Sequence, residues 1–74
     1  MTFETLLYIH RLLKQDAESL RNAYNRRRDY LAELRDQEAS REAIMEAKEA
    51  MDAADKLYTK AVRALNEFEE KEWR

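Results

Sequence analysis

The chain has no glycine, no proline and no cysteine among its 74 residues. Without glycine no position adopts a left-handed backbone free of steric cost, and without proline there is no rigid break. Turns must therefore be few and built from ordinary residues. The lack of cysteine excludes disulfides, thiolate metal sites and cysteine nucleophiles, removes the usual staple of small secreted domains, and points to a reducing cytoplasm. β-Branched residues are also sparse, limited to Ile9, Ile44, Val62, Thr2, Thr5 and Thr59, which is a poor supply for strands.

Long hydrophobic runs are missing as well. The longest uncharged stretch, Thr5 to Ile9, falls far short of the roughly 20 residues that span a bilayer as a helix. The opening MTFETLLYIHRLL lacks a basic start and a small-residue cleavage site and carries Glu4, His10 and Arg11, so it does not read as a signal peptide. A soluble, cytoplasmic single domain spanning 1–74 is expected. Neither charge sign dominates: 14 Lys+Arg stand against 16 Asp+Glu, for a net charge of −2, a weak basis for a general phosphate binder.

What is present is rich in Ala, Leu, Glu, Lys and Arg, the residues that lose least on entering a helix. In the first half Phe3, Leu6, Leu13, Ala17, Leu20, Tyr24, Leu31 and Leu34 recur in a four-three alternation, with His10 and Arg27 in its two remaining places. The second half repeats the alternation through Ile44, Ala47, Met51, Ala54, Tyr58, Ala61, Leu65 and Phe68, ending on Glu72. Each half is a coiled-coil seam. Between Leu34 and Ile44 the seam lapses, and it resumes out of phase, which predicts helix 1 over about 2–36, a turn over about 37–40 and helix 2 over about 41–73. Ser40 is the expected N-cap of helix 2, with Glu42 and Glu46 suiting its positive end. The alternative is one continuous helix about 100 Å long, at ~1.5 Å per residue.

The expected fold class is all-α, an antiparallel two-helix hairpin with coiled-coil packing. Folding at Ala39 pairs seam residues whose numbers sum to 78: Leu34 with Ile44, Leu31 with Ala47, Arg27 with Met51, Tyr24 with Ala54, Leu20 with Tyr58, Ala17 with Ala61, Leu13 with Leu65 and His10 with Phe68. The alternation alone defines this register only up to slips of seven residues. The alanines at 47, 54 and 61 should let the helices approach closely.

The two flanks of such a seam differ. One carries Ile9, Asp16, Ala23 and Tyr30 against Ala43, Ala50, Leu57 and Ala64, with Leu12 and Ala53 further round. The other carries Leu7, Lys14, Arg21, Arg28 and Arg35 against Lys48, Asp55, Val62 and Glu69. Two helices alone bury one stripe each, so a second copy packed on the apolar flank would complete a four-helix bundle. A homodimer through Ile9, Leu12, Ala23, Tyr30, Ala50, Leu57 and Ala64 is therefore expected. A helix of a different protein would suit the same flank. The open end of the hairpin, with Leu6, Leu7, Tyr8, Ile9, Leu12 and Leu13 of helix 1 and Val62, Phe68 and Trp73 of helix 2, is a further candidate contact surface.

Chemistry is thinly represented. His10 is the single imidazole, and no Asp or Glu lies three or four residues from it, so neither the Glu-x-x-His pattern of di-metal bundles nor an acid/base pair is expected. A buried, hydrogen-bonded role that sets the register suits it better. No cofactor and no metal are expected. Arg27 should lay its stem along the seam and reach Asp52 or Asp55. The column Lys14, Arg21, Arg28 and Arg35 is a candidate nucleic-acid contact, with Tyr24 and Tyr30 available for stacking, although Glu18, Asp29 and Asp55 stand close enough to neutralise part of it. Arg26, Arg27 and Arg28 splay over about 200° of helix and form no single surface. Pairs spaced i,i+4, such as Lys14 with Glu18, Asp52 with Lys56, Glu67 with Lys71 and Glu70 with Arg74, are expected on the solvated faces.

Hairpins of this size that dimerise into four-helix bundles resemble the Rop type of small plasmid RNA-binding regulator in architecture, with no shared motif. The opening MTFETLLYIHRLLK is similar to the starts of small proteins carried by bacterial prophages and mobile elements, a likeness that implies no activity. Secretion-system needle subunits and Trp-x-Gly secreted hairpins are similar in size, but their turns use proline or glycine. The resulting expectation is a non-enzymatic adaptor or regulator acting through helix–helix interaction, the alternative being a nucleic-acid-binding hairpin.

Overall fold

A computed structural model describes residues 2–72 as two helices, α1 (Phe3–Asp36) and α2 (Arg41–Glu72), packed against each other as a hairpin. Its longest dimension is 54 Å, about the length of one 34-residue helix at ~1.5 Å per residue. The continuous-helix alternative is thereby overturned. Both helices follow the boundaries expected from the seam, with one refinement: Thr2 lies outside α1 as its N-cap. Its Oγ1 accepts the Thr5 N–H at 3.2 Å and lies 2.9 Å from Thr5 Oγ1. Trp73, to which helix 2 was expected to extend, and Arg74 lie outside the described residues.

The turn solves the absence of glycine at Glu38, whose φ is +54°. The Ala39 N–H donates to the Leu34 carbonyl at 2.9 Å and the Glu38 N–H to the Arg35 carbonyl at 3.2 Å. These two bonds make the helix ending in which glycine ordinarily supplies the left-handed residue. A side chain there costs on the order of 1–2 kcal/mol, which the cap bonds and the half-buried Ala39 offset. Ser40 then starts α2 as expected, its Oγ accepting the Ala43 N–H at 3.2 Å and its carbonyl the Ile44 N–H at 3.1 Å.

The seam packs in the register of sum 78. Its buried residues, Ala17, Leu31, Ala47 and Ala61, form two of the expected layers, Ala17 with Ala61 and Leu31 with Ala47. At the open end the His10 and Phe68 rings stack with centroids 6.0 Å apart, whereas a slip of seven residues would have set His10 level with Ala61. Close approach at small residues leaves a thin core. Leu31 is the most buried of the four at 4% exposure, and no side chain among the described residues is completely enclosed. Arg27 departs from expectation: it is exposed, and no carboxylate among the described residues lies within 4.0 Å of it. Its long stem reaches solvent more easily than it reaches Asp52 or Asp55, and Met51 opposite is left half-buried.

Candidate functional site

The apolar flank is formed by side chains that lie beside the seam without entering it. Ile9, Ala23, Ala43 and Ala50 are half-buried at its edge, while Leu12, Tyr30 and Leu57 remain 45%, 51% and 55% exposed. Asp16, Ala53 and Ala64 are exposed among them. A shallow depression lined by Ala23, Arg26, Arg27 and Tyr30 interrupts this side near the turn end. Of the seven interface residues expected from the sequence, Ile9, Ala23 and Ala50 are half-buried, Ala64 is exposed, and the three large ones, Leu12, Tyr30 and Leu57, are about half exposed.

On the opposite flank Lys14, Arg21, Arg28 and Arg35 are all exposed. Arg28 approaches its neighbour Asp29 at 3.6 Å. Among the described residues no carboxylate lies within 4.0 Å of Lys14, Arg21 or Arg35. A groove opens between the helices here, lined by Lys14, Glu18, Arg21, Tyr58, Val62 and Leu65 over the small Ala17. It exists because the Ala17 and Ala61 layer is narrow. The i,i+4 pairs expected on the solvated faces are not drawn together: Lys14–Glu18, Asp52–Lys56 and Glu67–Lys71 all lie beyond 4.0 Å. Such exposed pairs contribute about 0.3–0.5 kcal/mol, too little to hold long side chains against solvation. Glu70–Arg74 falls partly outside the described residues.

His10 acquires a neighbour that local spacing could not supply. Glu69 of α2 places Oε1 3.6 Å from His10 Nε2, with the imidazole side chain 17% exposed and the carboxylate 45%. The expectation that His10 has no acidic partner is corrected on this point. The signal was available in the register, because Phe68 opposite His10 carries Glu69 as its next residue. One imidazole and one carboxylate on an open surface do not enclose a substrate, and no group of three metal-ligating side chains occurs among the described residues.

At the open end Phe3 and Tyr8 are strongly exposed and Leu7 partly so, while Leu6, Leu13, Val62 and Phe68 are half-buried. No helix among the described residues is long and apolar enough to cross a membrane. No protein-family model, no curated protein and no solved structure matches the chain.

Proposed function

We propose that the protein is a small non-enzymatic adaptor or regulator that acts by presenting helical surface, and that its apolar flank is consumed by self-association into a dimeric four-helix bundle. The observation that carries this reading is the exposure of Leu12, Tyr30 and Leu57 along one flank of a hairpin with so little core of its own. The hairpin exposes 6111 Å², whereas a compact monomer of 8.9 kDa exposes about 4,800 Å² by the scaling of surface with mass. The surplus is larger than the ~800 Å² that each partner contributes to a standard interface. In the dimer the charged flank and the hairpin ends remain as the surfaces offered to other molecules.

A dimer stabilises its folded state by an amount that grows with the logarithm of its concentration, so the urea unfolding midpoint should rise with protein concentration over a hundredfold range. A midpoint independent of concentration would leave the apolar flank to a different protein's helix.

A second reading is supported by the charged flank. Lys14, Arg21 and Arg35, spaced seven and fourteen residues apart with no carboxylate among the described residues within 4.0 Å, suit an array of phosphates, although Glu18 shares the groove of the first two. Retention on immobilised RNA or DNA that falls steeply between 50 and 200 mM salt would support it. No retention at the lower salt would end it.

A further inference from the structure

We infer that the second copy lies antiparallel on the apolar flank, with turns at opposite ends and the two-fold axis passing at Leu57. This rests on the reading of that flank as a self-association surface and adds the arrangement of the two copies.

The register within the hairpin sets the argument. Leu57 of α2 is level with residue 21 of α1. A two-fold axis perpendicular to the hairpin at that level sets α1 against α1 and α2 against α2 of the second copy. On α1, Leu12 lies nine residues before the axis level and Tyr30 nine after it, so each meets the other across the interface. On α2, Leu57 meets its own copy, and Ala50 and Ala64, seven residues to either side, meet each other. The three exposed large apolar side chains of the flank are thus all covered by one operation, and the paired alanines let the α2 helices close around Leu57.

Charge follows the same operation. Asp16 is the one acid in the middle of the apolar stripe, five residues before the axis level, and Arg26 lies five after it. The depression lined by Ala23, Arg26, Arg27 and Tyr30 therefore receives Asp16 of the second copy, which places a carboxylate beside two guanidinium groups. Glu46 and Glu67 come nearly level at the outer edge, where solvent screens them. The competing arrangement, with both turns at one end, sets Leu57 against Ala23. It also brings Glu33 level with Glu46, within one residue, a clash no worse than that of Glu46 with Glu67, and it leaves Leu12 and Tyr30 without each other, with Lys60 and Arg63 within two residues of the level of Asp16.

The absence of native cysteine makes the test direct. Leu57→Cys should oxidise to a disulfide dimer in most of the protein under native conditions, while Tyr30→Cys and Leu12→Cys should each stay below a tenth alone and cross-link when mixed. Asp16→Arg should weaken the dimer about tenfold, and Arg26→Asp added to it should restore the affinity. A dimer by mass in which Leu57→Cys stays reduced, but mixed Ala23→Cys and Leu57→Cys chains cross-link, would overturn the antiparallel arrangement and leave the self-association surface standing. A monomeric wild-type chain at all concentrations would overturn both. Circular dichroism of each variant confirms that the hairpin is intact before its cross-linking is read.

Discussion

Arg21 and Leu57 stand at the same level of the hairpin and on opposite sides of it, both exposed, and their neighbourhoods could hardly differ more. The flank of Leu57 carries alanines, with the half-exposed Leu12 and Tyr30 nine residues to either side of its level; around Arg21 lie Lys14, Glu18 and Val62 beside an open groove. The same seam generates both sides, so the difference is carried entirely by residues that the hairpin's own fold does not require. Exposed side chains beside a seam vary at little cost to it, and contiguous exposed apolar ones are the kind of surface that marks interaction sites. The charged side reports solvent or a polar partner.

The contrast breaks most visibly with a matched pair of charge changes. Leu57→Glu puts two carboxylates at the centre of a closed interface, so the dimer should weaken by about 3 kcal/mol or more, a hundredfold at least, with loss of helicity at low concentration. Arg21→Glu, at the same level on the other side, should leave mass and circular dichroism unchanged. Sedimentation of the two variants over a concentration series reads both. If Leu57→Glu sediments as wild type, the two flanks are equivalent and the apolar side is only surface.

A smaller effect separates what holds the hairpin from what covers it. Leu31→Ala removes the most buried large side chain of the seam, and should cost about 3 kcal/mol of stability in urea unfolding. Leu31 lies in the seam and not on the proposed interface, so any change in mass at high concentration should follow unfolding and not precede it.

The turn sharpens the comparison further, because it belongs to neither flank. Glu38→Gly should stabilise the protein by about 1 kcal/mol by relieving the side chain held at positive φ, and Ser40→Ala should cost about 1 kcal/mol by removing the cap on the Ala43 N–H. Thermal unfolding reads both, and neither should alter the solution mass. The smallest effect is expected from replacing Lys14, Arg21, Arg28 and Arg35 together by alanine, each change being worth less than about 0.5 kcal/mol of stability at such exposed positions. Retention on nucleic acid at low salt is the property that substitution should abolish if the second reading holds.

Much of this architecture is legible in the sequence. The four-three alternation located both helices, its lapse located the turn, and Ser40 marked the start of α2, because each is a local or periodic signal. The register followed from placing the turn at Ala39, and the His10–Phe68 stack bears it out. Glu38 could not be singled out, since without glycine any residue of the turn was an equal candidate for the left-handed position. Glu69 was missed because its approach to His10 depends on helix pairing and not on spacing along the chain. The exposed ion pairs were overestimated for the opposite reason: their spacing was right, but their energy is too small to order them. On the flanks, Leu12, Tyr30 and Leu57 are exposed, as are Lys14, Arg21, Arg28 and Arg35; what covers them is a property of a partner and not of this chain's own periodicity.

Coverage of the apolar flank by a second copy of the chain would double its mass in solution. Absolute mass by light scattering on a size-exclusion column tests it most directly. A self-associating flank gives twice the 8.9 kDa of one chain across the elution peak at micromolar concentration. A mass of one chain, held up to the highest concentration reached, would contradict it.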